Sequence, residues 1–367
     1  KVLNVPHLRF PEFTEEWVNV SLKDVADFQK ERISSGLLDE STYISTENIL
    51  QNFQGVQSAI SIPANTNVVA YKKNDILLSN IRPYLKKAWF SDRIGGCSAD
   101  VFVLRSKTCE PEFLYNVIAS DKFINYVMSG AKGVKMPRGD KNQMESFSFS
   151  IPAVVEQRKI SRLFQLLDER IVTQNKIIED LKKLKSAISE RLLKGVKGST
   201  VLLSDICDIV KGKQINGENL SESGNYYVMN GGTELSGYYD DYNVEANTIS
   251  ISEGGNSCGY VQFNTSPFWS GGHCYSIQDI TDNVDNLYLY HYLKSKEDAI
   301  MKLRIGSGLP NIQKKDLAMF KIKIPAVEQQ LKISIFLSSL ERKAEIEERI
   351  QNALLKEKQY LLHQMFI

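Results

Sequence analysis

Two stretches of the sequence place apolar residues at spacings of three, four and seven, the pattern of a single apolar stripe along a helix. The first stripe consists of Ile160, Leu163, Leu167, Ile171, Ile178, Leu181, Ile188 and Leu192. The same pattern returns near the end of the chain, and only Gln351 breaks it. Pro152 and Pro325 precede the two stripes, and proline suits the first turn of a helix. The pattern therefore predicts two long helices. The first, from Ala153 to Lys194, is expected to be about 60 Å long at about 1.5 Å per residue.

These helices belong to a longer internal repeat. The run Gln157-Arg158-Lys159-Ile160-Ser161 returns as Gln330-Leu331-Lys332-Ile333-Ser334, an offset of 173 in residue number. Three more pairs follow the same order along the chain: Leu22–Asp27 with Leu203–Asp208 at an offset of 181, Leu78–Ser79 with Ile251–Ser252 at 173, and Pro137 with Pro310 at 173. Agreement at four points indicates two copies of one unit.

The segments before each helix have a different pattern. Short β-branched and apolar runs predict strands at Thr66–Tyr71, Asp75–Leu78 and Val101–Leu104, and again at Thr248–Ile251 and Tyr260–Phe263. Glycine pairs, such as Gly254-Gly255, indicate turns between them. One helix is expected from Pro111 to Ser129 and a counterpart from Asn286 to Leu303. Each head is therefore predicted to be a mixed domain of strands, loops and a few helices.

The predicted fold class is α+β. We expect two mixed heads, each followed by a long helix, with a pseudo-two-fold internal repeat. The predicted boundaries are 1–152 for the first head, 153–197 for the first helix, 198–324 for the second head and 325–367 for the second helix. A narrow stripe on a long helix needs a partner. The second helix is the obvious one, although the first stripe could instead pair with another chain.

Composition and cysteine usage exclude several classes of protein. The chain is 42% hydrophobic and 24% charged, as in ordinary soluble proteins, and it has no run of eighteen apolar residues. The opening Lys1–Pro6 does not have the pattern of a signal peptide. The five cysteines form no CxxC pair, which favours a reducing cytoplasm over a disulfide framework. Cys258 with His273-Cys274 lacks an evident fourth ligand for zinc, so no metal site is expected.

The sequence contains no recognisable catalytic motif. It has neither a Walker A loop nor the Asn-Pro-Pro-Tyr-like motif expected of a DNA adenine methyltransferase. The nearest match to a dinucleotide-binding fingerprint, Gly306-Ser307-Gly308, lacks the third glycine. The four histidines, at positions 7, 273, 291 and 363, are scattered and suggest no nucleophile–base set. We therefore expect a chain that performs no catalysis itself.

Several loops carry the side chains that read or hold DNA. Arginine or lysine suits guanine, asparagine or glutamine suits adenine, and lysine, serine and backbone amides suit phosphate. The candidate DNA-binding residues are Arg32, Asn80, Arg82, Lys86, Lys87, Lys135 and Arg138 in the first head, and Lys213, Asn230, Glu253, Asn256, Asn311 and Lys314 in the second. Among these, Arg82 is expected to contact guanine and Lys86 a phosphate. Because Lys+Arg (45) barely exceeds Asp+Glu (44), any positive DNA-binding surface must be local or completed by partners.

The combined pattern resembles the specificity subunit of type I restriction–modification systems over essentially the whole chain. The resemblance rests on the two Ile-Pro helix openings with their Gln-x-Lys-Ile runs, on Ile251–Asn256 with Trp269–Cys274, and on the opening Leu8–Phe13 with Trp17. It implies two target-recognition domains separated by two long helices that form an antiparallel coiled coil. It also implies a non-catalytic, DNA-binding chain of a host-defence system that recognises a bipartite, asymmetric DNA target. Because the heads vary between members of the family, it does not identify which residues contact bases.

The resemblance also implies partners and their cofactors. Two methyltransferase subunits would dock on the helices and methylate adenine with S-adenosylmethionine. Restriction subunits would use ATP and magnesium to translocate and cut DNA. This chain would hold no cofactor, and its location would be the bacterial or archaeal cytoplasm. The helical residues expected to bind partners are Ile160, Leu167, Ile178, Leu181, Ile333, Leu340 and Leu354.

A second interpretation comes from a different class of protein. Equivalent polar loops on a helical spacer would also suit a non-catalytic adaptor whose two heads bind protein or sugar. Binding to duplex DNA with a steep salt dependence separates the two interpretations, because a protein that neutralises phosphates releases counterions.

Overall fold

The computed structural model describes residues 5–306, 308 and 310–366. The opening residues Lys1–Asn4, Ser307 and Leu309 of the predicted loop at 306–315, and Ile367 lie outside the described residues. The chain divides into two compact units. The first unit comprises Lys1–Asn175 with Ile350–Ile367, and the second unit comprises Lys176–Arg349.

The first head alternates short strands with loops before three short helices. Its elements are β1 (Val18–Ser21), α1 (Leu22–Val25), β2 (Ala26–Phe28), β3 (Arg32–Ser34), β4 (Tyr43–Ile44), β5 (Asn67–Tyr71), β6 (Ile76–Ser79), β7 (Ala88–Phe90), β8 (Gly95–Cys97), β9 (Val101–Ser106), α2 (Pro111–Ile118), α3 (Asp121–Ser129), α4 (Lys141–Glu145) and β10 (Ser148–Ile151). The first long helix, α5 (Val154–Lys194), follows directly.

The second head repeats this plan. Its elements are β11 (Ser199–Leu202), β12 (Asp208–Lys211), β13 (Tyr226–Met229), β14 (Tyr238–Tyr239), β15 (Thr248–Ser252), β16 (Val261–Asn264), β17 (Trp269–Ser270), β18 (Cys274–Gln278), α6 (Asn286–Ser295), α7 (Glu297–Met301), α8 (Lys314–Ala318) and β19 (Lys321–Ile324). The second long helix, α9 (Val327–Met365), follows. Both long helices lie where the apolar stripes predicted them.

The sheets confirm the internal repeat. The main sheet has the order β2-β9-β6-β7 in the first head and β12-β18-β15-β16 in the second, so each strand has its counterpart in the same place. A two-stranded antiparallel sheet joins the start of each head to its end, with Val18 opposite Ile151 and Ser199 opposite Ile324. A smaller sheet in each head contains one parallel pair, β4 with β8 and β13 with β17.

Each predicted head helix is broken into two. In the first head the chain turns at Ala119–Ser120, because the Ser120 side chain accepts a hydrogen bond from the Phe123 amide and so caps a new helix. In the second head the break falls at Lys296, between α6 and α7. The apolar pattern continues across both breaks, which is why it predicted single helices.

Each head completes its core with the start of one long helix and the end of the other. In the first unit, Ile160 and Phe164 of α5 and Leu362 and Met365 of α9 lie in the head's main hydrophobic cluster. In the second unit, Ile333 and Leu337 of α9 and Leu193 of α5 do the same. The compact units therefore cut across the predicted boundaries at 152/153 and 324/325, because the helices contribute core to the heads.

Within each unit the two long helices run antiparallel. In the first unit, Lys358 of α9 pairs with Asp168 of α5, and Gln351 bonds Asn175. In the second unit, Lys185 pairs with Glu341 at 2.5 Å, and Lys182 with Glu348 at 2.6 Å. As the residue number rises on α5 it falls on α9, as the predicted antiparallel coiled coil requires.

Candidate nucleic-acid interface

Two of the predicted DNA-binding stretches meet in the first unit. The chain leaves β6 at Ser79, and the amide of Arg82 donates to the carbonyl of Pro137 at 2.8 Å. The amide of Gly139 donates back to the carbonyl of Asn80 at 3.0 Å, and Ile81 bridges Arg138. These backbone bonds place the loop after β6 beside the loop that precedes α4.

A third segment joins this arrangement just before β9. The amide of Asn80 donates to the carbonyl of Asp100 at 2.8 Å. The Arg138 guanidinium then donates to the Asp100 carboxylate at 2.9 Å, and both side chains remain partly exposed. Asp100, which the sequence did not single out, therefore orients Arg138.

The second unit builds the same arrangement from the residues that correspond in the internal repeat. The amide of Gly255 donates to the carbonyl of Pro310 at 3.0 Å, and that of Ile312 donates to the carbonyl of Glu253 at 2.8 Å. The amide of Glu253 donates to the carbonyl of His273 at 2.8 Å, and Gly254 bridges Asn311. We call this arrangement the paired loop: residues 79–82 with 137–139 in the first unit, and 252–255 with 310–312 in the second.

The paired loops share a backbone but carry different side chains. The corresponding pairs are Asn80 and Glu253, Ile81 and Gly254, Arg82 and Gly255, Asp100 and His273, and Arg138 and Asn311. These positions thus offer an amide, a carboxylate and two guanidinium groups in the first unit, and a carboxylate, an imidazole and an amide in the second. One scaffold with two chemistries can recognise two different base sequences.

Backbone conformation at the paired loop explains part of its sequence. Arg82 and Lys86 adopt positive φ angles of 50° and 53°, on either side of a tight turn at Pro83–Leu85. Gly255, the counterpart of Arg82, has φ of 76°. A non-glycine residue in this region is strained, and such strain is concentrated at functional sites. The Nε atom of Arg82 is also buried with no hydrogen-bond partner among the described residues.

Glu253 lies at the centre of a polar cluster in the second unit. Its Oε1 atom accepts from Lys211 Nζ at 2.6 Å and from the Tyr275 hydroxyl at 3.1 Å. His273 Nδ1 lies 3.9 Å from the other carboxylate oxygen. Burial, together with the nearby Glu253 carboxylate, raises the pKa of Tyr275, so its hydroxyl stays a donor at neutral pH. The cluster holds the Glu253 carboxylate in a fixed position.

Three of the residues predicted to bind DNA already bond other groups of the first head. Arg32 lies in β3 and donates to the carbonyl of Asn67, and Lys87 Nζ donates to the carbonyl of Thr46 at 2.6 Å. Lys86 Nζ pairs with Asp121 at 2.5 Å and lines a groove of about 1050 Å³ in this unit. A role for any of them on DNA would require these contacts to break, so they are weaker candidates than Arg82.

The remaining predicted residues lie around the paired loops. Lys135 is exposed in the first unit, and Asn256, Asn311 and Lys314 are exposed in the second. Asn230 accepts from the His273 amide at 3.1 Å. Lys213 donates its amide to Ser270 and accepts from the Trp269 ring nitrogen, each through its backbone. His273, like Asp100, was missed. Two signals point to it: it lies in the run Trp269–Cys274 that carries the family resemblance, and it corresponds to Asp100 in the internal repeat.

The cysteines are buried and unreactive. Burial raises the pKa of Cys97, Cys109 and Cys207 to about 12, so these thiols stay protonated at neutral pH. Cys258 and Cys274 are buried as well. Among the described residues, no group of three or more histidine, cysteine, aspartate or glutamate side chains is arranged to hold a metal ion.

The chain matches one protein family twice. The model of the type I restriction modification DNA specificity domain matches residues 14–183 and 196–356, which covers both repeats. The chain belongs to this family. A member of this family is a DNA-specificity component, as distinct from the methylating and cutting components of such systems. The two matches also confirm that the repeat found in the sequence consists of two homologous domains.

Named relatives and a solved structure agree with membership of the specificity-domain family. A type I specificity subunit of Mycoplasma pneumoniae is 31% identical over 145 residues, but the match spans only 39% of this chain and 38% of that relative. A type I restriction enzyme specificity subunit of Methanocaldococcus jannaschii is 24% identical over 97% of this chain and 92% of its own. The crystal structure of the S subunit of a type I system from M. genitalium has the same fold, with a TM-score of 0.70, 17% identity and 99% coverage of both chains.

The predicted partner-binding residues of this specificity subunit contribute instead to its own packing. Ile160 and Ile333 are buried in the cores of the two heads, and Ile178 is also buried. Leu167, Leu181, Leu340 and Leu354 are half-buried. The long helices expose other apolar side chains, among them Leu166, Val172, Leu184, Ile335, Phe336 and Ile346. No helix among the described residues is long and apolar enough to span a membrane.

Proposed function

We propose that this chain selects the DNA target of a type I restriction–modification complex by reading two unlike half-sites, one with each paired loop. The observation that carries the proposal is the paired loop itself. Its backbone hydrogen bonds recur at the constant offset of the internal repeat, while the side chains on it differ. A shared scaffold supports a common mode of docking, and different side chains support different base contacts.

The first paired loop suits a half-site that contains guanine. Arg82 and Arg138 each offer a guanidinium, the group that bonds guanine O6 and N7 in a bidentate way. The exposed Lys135 lies in the same loop as Arg138 and suits a phosphate. Asp100 keeps Arg138 oriented, which lowers the entropy lost on binding.

The second paired loop has the opposite electrostatic character. Glu253 and Asn311 replace Asn80 and Arg138, and Gly255 leaves no side chain where Arg82 stands. Lys213, Asn256 and Lys314 are exposed and suit phosphate or base contacts. The two half-sites should therefore be unlike, and the complete target should not be a palindrome.

We also propose partners, which membership of the specificity-domain family supports. Two methyltransferase subunits would dock on the long helices and supply S-adenosylmethionine chemistry, and restriction subunits would supply ATP- and magnesium-dependent translocation and cutting. The exposed apolar residues of the helices, such as Val172, Ile335 and Phe336, suit the docking surface better than the buried stripe. The assembly would work in the cytoplasm of a bacterium or archaeon, where its DNA substrates are.

Selection from a duplex library with two randomised blocks and a variable gap tests the proposal. The full chain, with its methyltransferase subunits where binding requires them, should enrich two unlike blocks at a fixed gap. Affinity should fall steeply as salt rises. Enrichment of no motif, or binding that ignores salt, would contradict the proposal and favour an adaptor with protein- or sugar-binding heads.

A further inference from the structure

Both paired loops hold a buried oxygen without a hydrogen-bond partner, and they hold it at the same position. In the first unit the atom is Oδ1 of Asn80, and in the second it is Oε2 of Glu253. The two residues correspond to each other in the internal repeat. For neither atom do the described residues supply a donor within hydrogen-bond distance.

Such atoms are costly, and native folds avoid them. Leaving a buried acceptor unsatisfied costs about 1–3 kcal/mol, more if it is charged. Most buried polar atoms are therefore bonded, and an exception calls for an explanation. Here the exception recurs although the side chain differs, an amide in one unit and a carboxylate in the other. The feature that the two positions share is an unused acceptor.

The surroundings of Glu253 hold its carboxylate in place and leave one of its oxygens unused. The side chain is 10% exposed, and its other oxygen is already bonded to Lys211 and Tyr275. Two of its neighbours reach much further into solvent, since Lys211 is 53% and His273 is 61% exposed. A ligand that displaces the His273 ring therefore reaches a carboxylate oxygen that is held in place and lacks a donor.

Asn80 is held as firmly through its backbone. Its amide and its carbonyl bond Asp100 and Gly139, so the side chain starts from a fixed point. Gly139 packs beside it, because a Cβ at that position would meet the side chains of Met144 and Val127 and would lie 3.4 Å from the Asn80 amide oxygen. The residue is half-buried, so the carboxamide remains within reach of the surface.

We propose that positions 80 and 253 read the exocyclic amine of a base in the major groove, adenine by Asn80 and cytosine by Glu253. The inference rests on the proposed function. The major groove presents amines on adenine N6 and cytosine N4. A carboxamide bonds adenine in a bidentate way, through its oxygen to N6 and its nitrogen to N7. A carboxylate has acceptors alone, which suits cytosine N4.

Single-atom substitutions in the full chain test the assignment by library selection. Glu253→Gln replaces the unused oxygen with an NH₂ donor, so the second half-site should lose its cytosine preference at one position, by about tenfold. Asn80→Asp keeps the acceptor but removes the donor to N7, so the first half-site should shift from adenine towards cytosine at one position. Each variant should leave the other half-site unchanged.

Glu297→Gln is the matched control, because Glu297 is a similarly enclosed carboxylate of the second head that pairs with Lys294, away from the paired loop. It should leave both half-sites as they are. Thermal unfolding of every variant identifies any that is misfolded, and the two positions provide independent tests.

A base that lacks its amine gives a second test. With the wild type, replacing the adenine of the first half-site by purine should weaken binding about tenfold. With Asn80→Ala the same replacement should have no further effect, because the interaction is already absent. Equal losses in wild type and variant would overturn the inference.

The outcomes separate this inference from the proposed function. If the wild type enriches no motif, the proposed function fails and the inference fails with it. If the wild type enriches two half-sites but folded Glu253→Gln and Asn80→Asp enrich the same bases as the wild type, the inference alone is overturned.

Discussion

Arg82 and Lys86 lie close together in the sequence, yet the fold treats them differently. The Nε atom of Arg82 is buried without a partner among the described residues, whereas Lys86 is already paired with Asp121. A fixed side chain with an unused hydrogen-bond donor can bond a ligand through that donor without first breaking an existing hydrogen bond. Arg82 is for this reason the stronger candidate for reading a base.

Arg82→Ala should cost about 1–3 kcal/mol of binding to the cognate first half-site and relax the preference at one base pair. Lys135→Ala provides the contrast. It should weaken binding to all sequences alike and lower the salt slope by about one, as expected of a phosphate contact. Fluorescence anisotropy with cognate and scrambled duplexes at several salt concentrations measures both. Unchanged cognate binding by Arg82→Ala would refute its role.

A buried histidine should make the second unit sensitive to acid. Burial lowers the pKa of His291 to about 4, and its ring bonds the Ser338 hydroxyl at 2.9 Å. In the unfolded chain His291 binds its proton with an ordinary pKa of about 6.5. The free energy of unfolding therefore has its full value above that pH and falls as the pH drops towards 4. Between pH 7 and 5 the loss should be about 2 kcal/mol.

Urea unfolding of the wild type and of His291→Gln at the two pH values measures this loss. The variant should lack most of the pH dependence, whereas His363→Gln, at an exposed histidine of α9, should keep it. A wild-type slope equal to that of His291→Gln would show that His291 is not the group responsible.

For individual residues, the sequence predicts candidates by residue type but not which of them lie together. Arg82 and Arg138 were both candidates from their residue types and turn-like surroundings. Their shared scaffold depends on hydrogen bonds between segments that are far apart along the chain, which no local pattern encodes. Asp100 cannot be predicted as a functional residue, because a single aspartate before a strand forms no recognisable motif.

At the scale of elements, the glutamine of the Ile-Pro motif connects each long helix to its head. Gln330 is fully buried at the start of α9. Its amide nitrogen donates to the carbonyls of Asn283 and Pro325, both at 2.9 Å, and its oxygen accepts from the Asp285 amide at 2.8 Å. Gln157 has the same position in the first unit, where it bonds Pro152 and Glu110.

Gln330→Leu should therefore destabilise the second unit by about 2–4 kcal/mol, because three backbone groups lose their partner in a buried site. The neighbouring Gln329 is exposed, so Gln329→Leu should change stability by about 0.5 kcal/mol or less. Chemical denaturation compares the two. Equal effects would show that the buried glutamine does not connect helix and head.

The elements were the most predictable part of the fold. A stripe with a helical period, sustained from one end of the segment to the other, leaves no alternative to a long helix, and both helices lie where the stripe predicted them. The break at Ser120 was hidden, because the apolar periodicity of α2 continues into α3. The local signal is Ser120, which caps a new helix at Asp121. It ends the first helix although the apolar periodicity continues.

At the scale of the whole molecule, the long helices are expected to set the gap between the half-sites. The helix contacts define which residues to remove together: Asn175 lies against Gln351 in the first unit, and Lys185 against Glu341 in the second. Deleting Asn175–Leu181 with Glu345–Gln351 keeps both stripes in phase, since seven residues are close to two turns. It shortens each helix by roughly 10 Å at about 1.5 Å per residue.

The double deletion should narrow the gap by about three base pairs, at roughly 3.4 Å per step, and leave both half-site sequences unchanged. Overall binding should weaken, because three base pairs also rotate one half-site by about a third of a turn. Library selection with a variable gap reads the result. A folded double deletant with the original gap would leave the helices as a docking surface alone.

The domain boundaries were the least predictable feature. The motifs placed them at the start of each helix, where the sequence pattern changes. The cores instead extend along the helices, since Phe164 and Leu362 of the first unit and Leu337 of the second are buried with the heads. A single apolar stripe does not reveal which of its residues pack on a head and which on the other helix.

In the proposed function, the paired loops determine the two half-sites. Exchanging their side chains tests it most directly, because the two backbones match. The substitutions Glu253→Asn, Gly255→Arg, His273→Asp and Asn311→Arg place the polar side chains of the first unit on the second paired loop and at position 273, while Gly254 is kept where the first unit has Ile81. Position 255 can accept a side chain, since a Cβ there meets nothing within 4 Å and Arg82 already adopts a similar φ.

The measurement is selection of bound duplexes by this fourfold variant beside the wild type. We expect the second half-site of the variant to take on the bases that the first paired loop reads. The first half-site and the gap should be those of the wild type. A folded variant that still selects the wild-type second half-site would show that the paired loop does not determine it, and base recognition would then lie elsewhere in the heads.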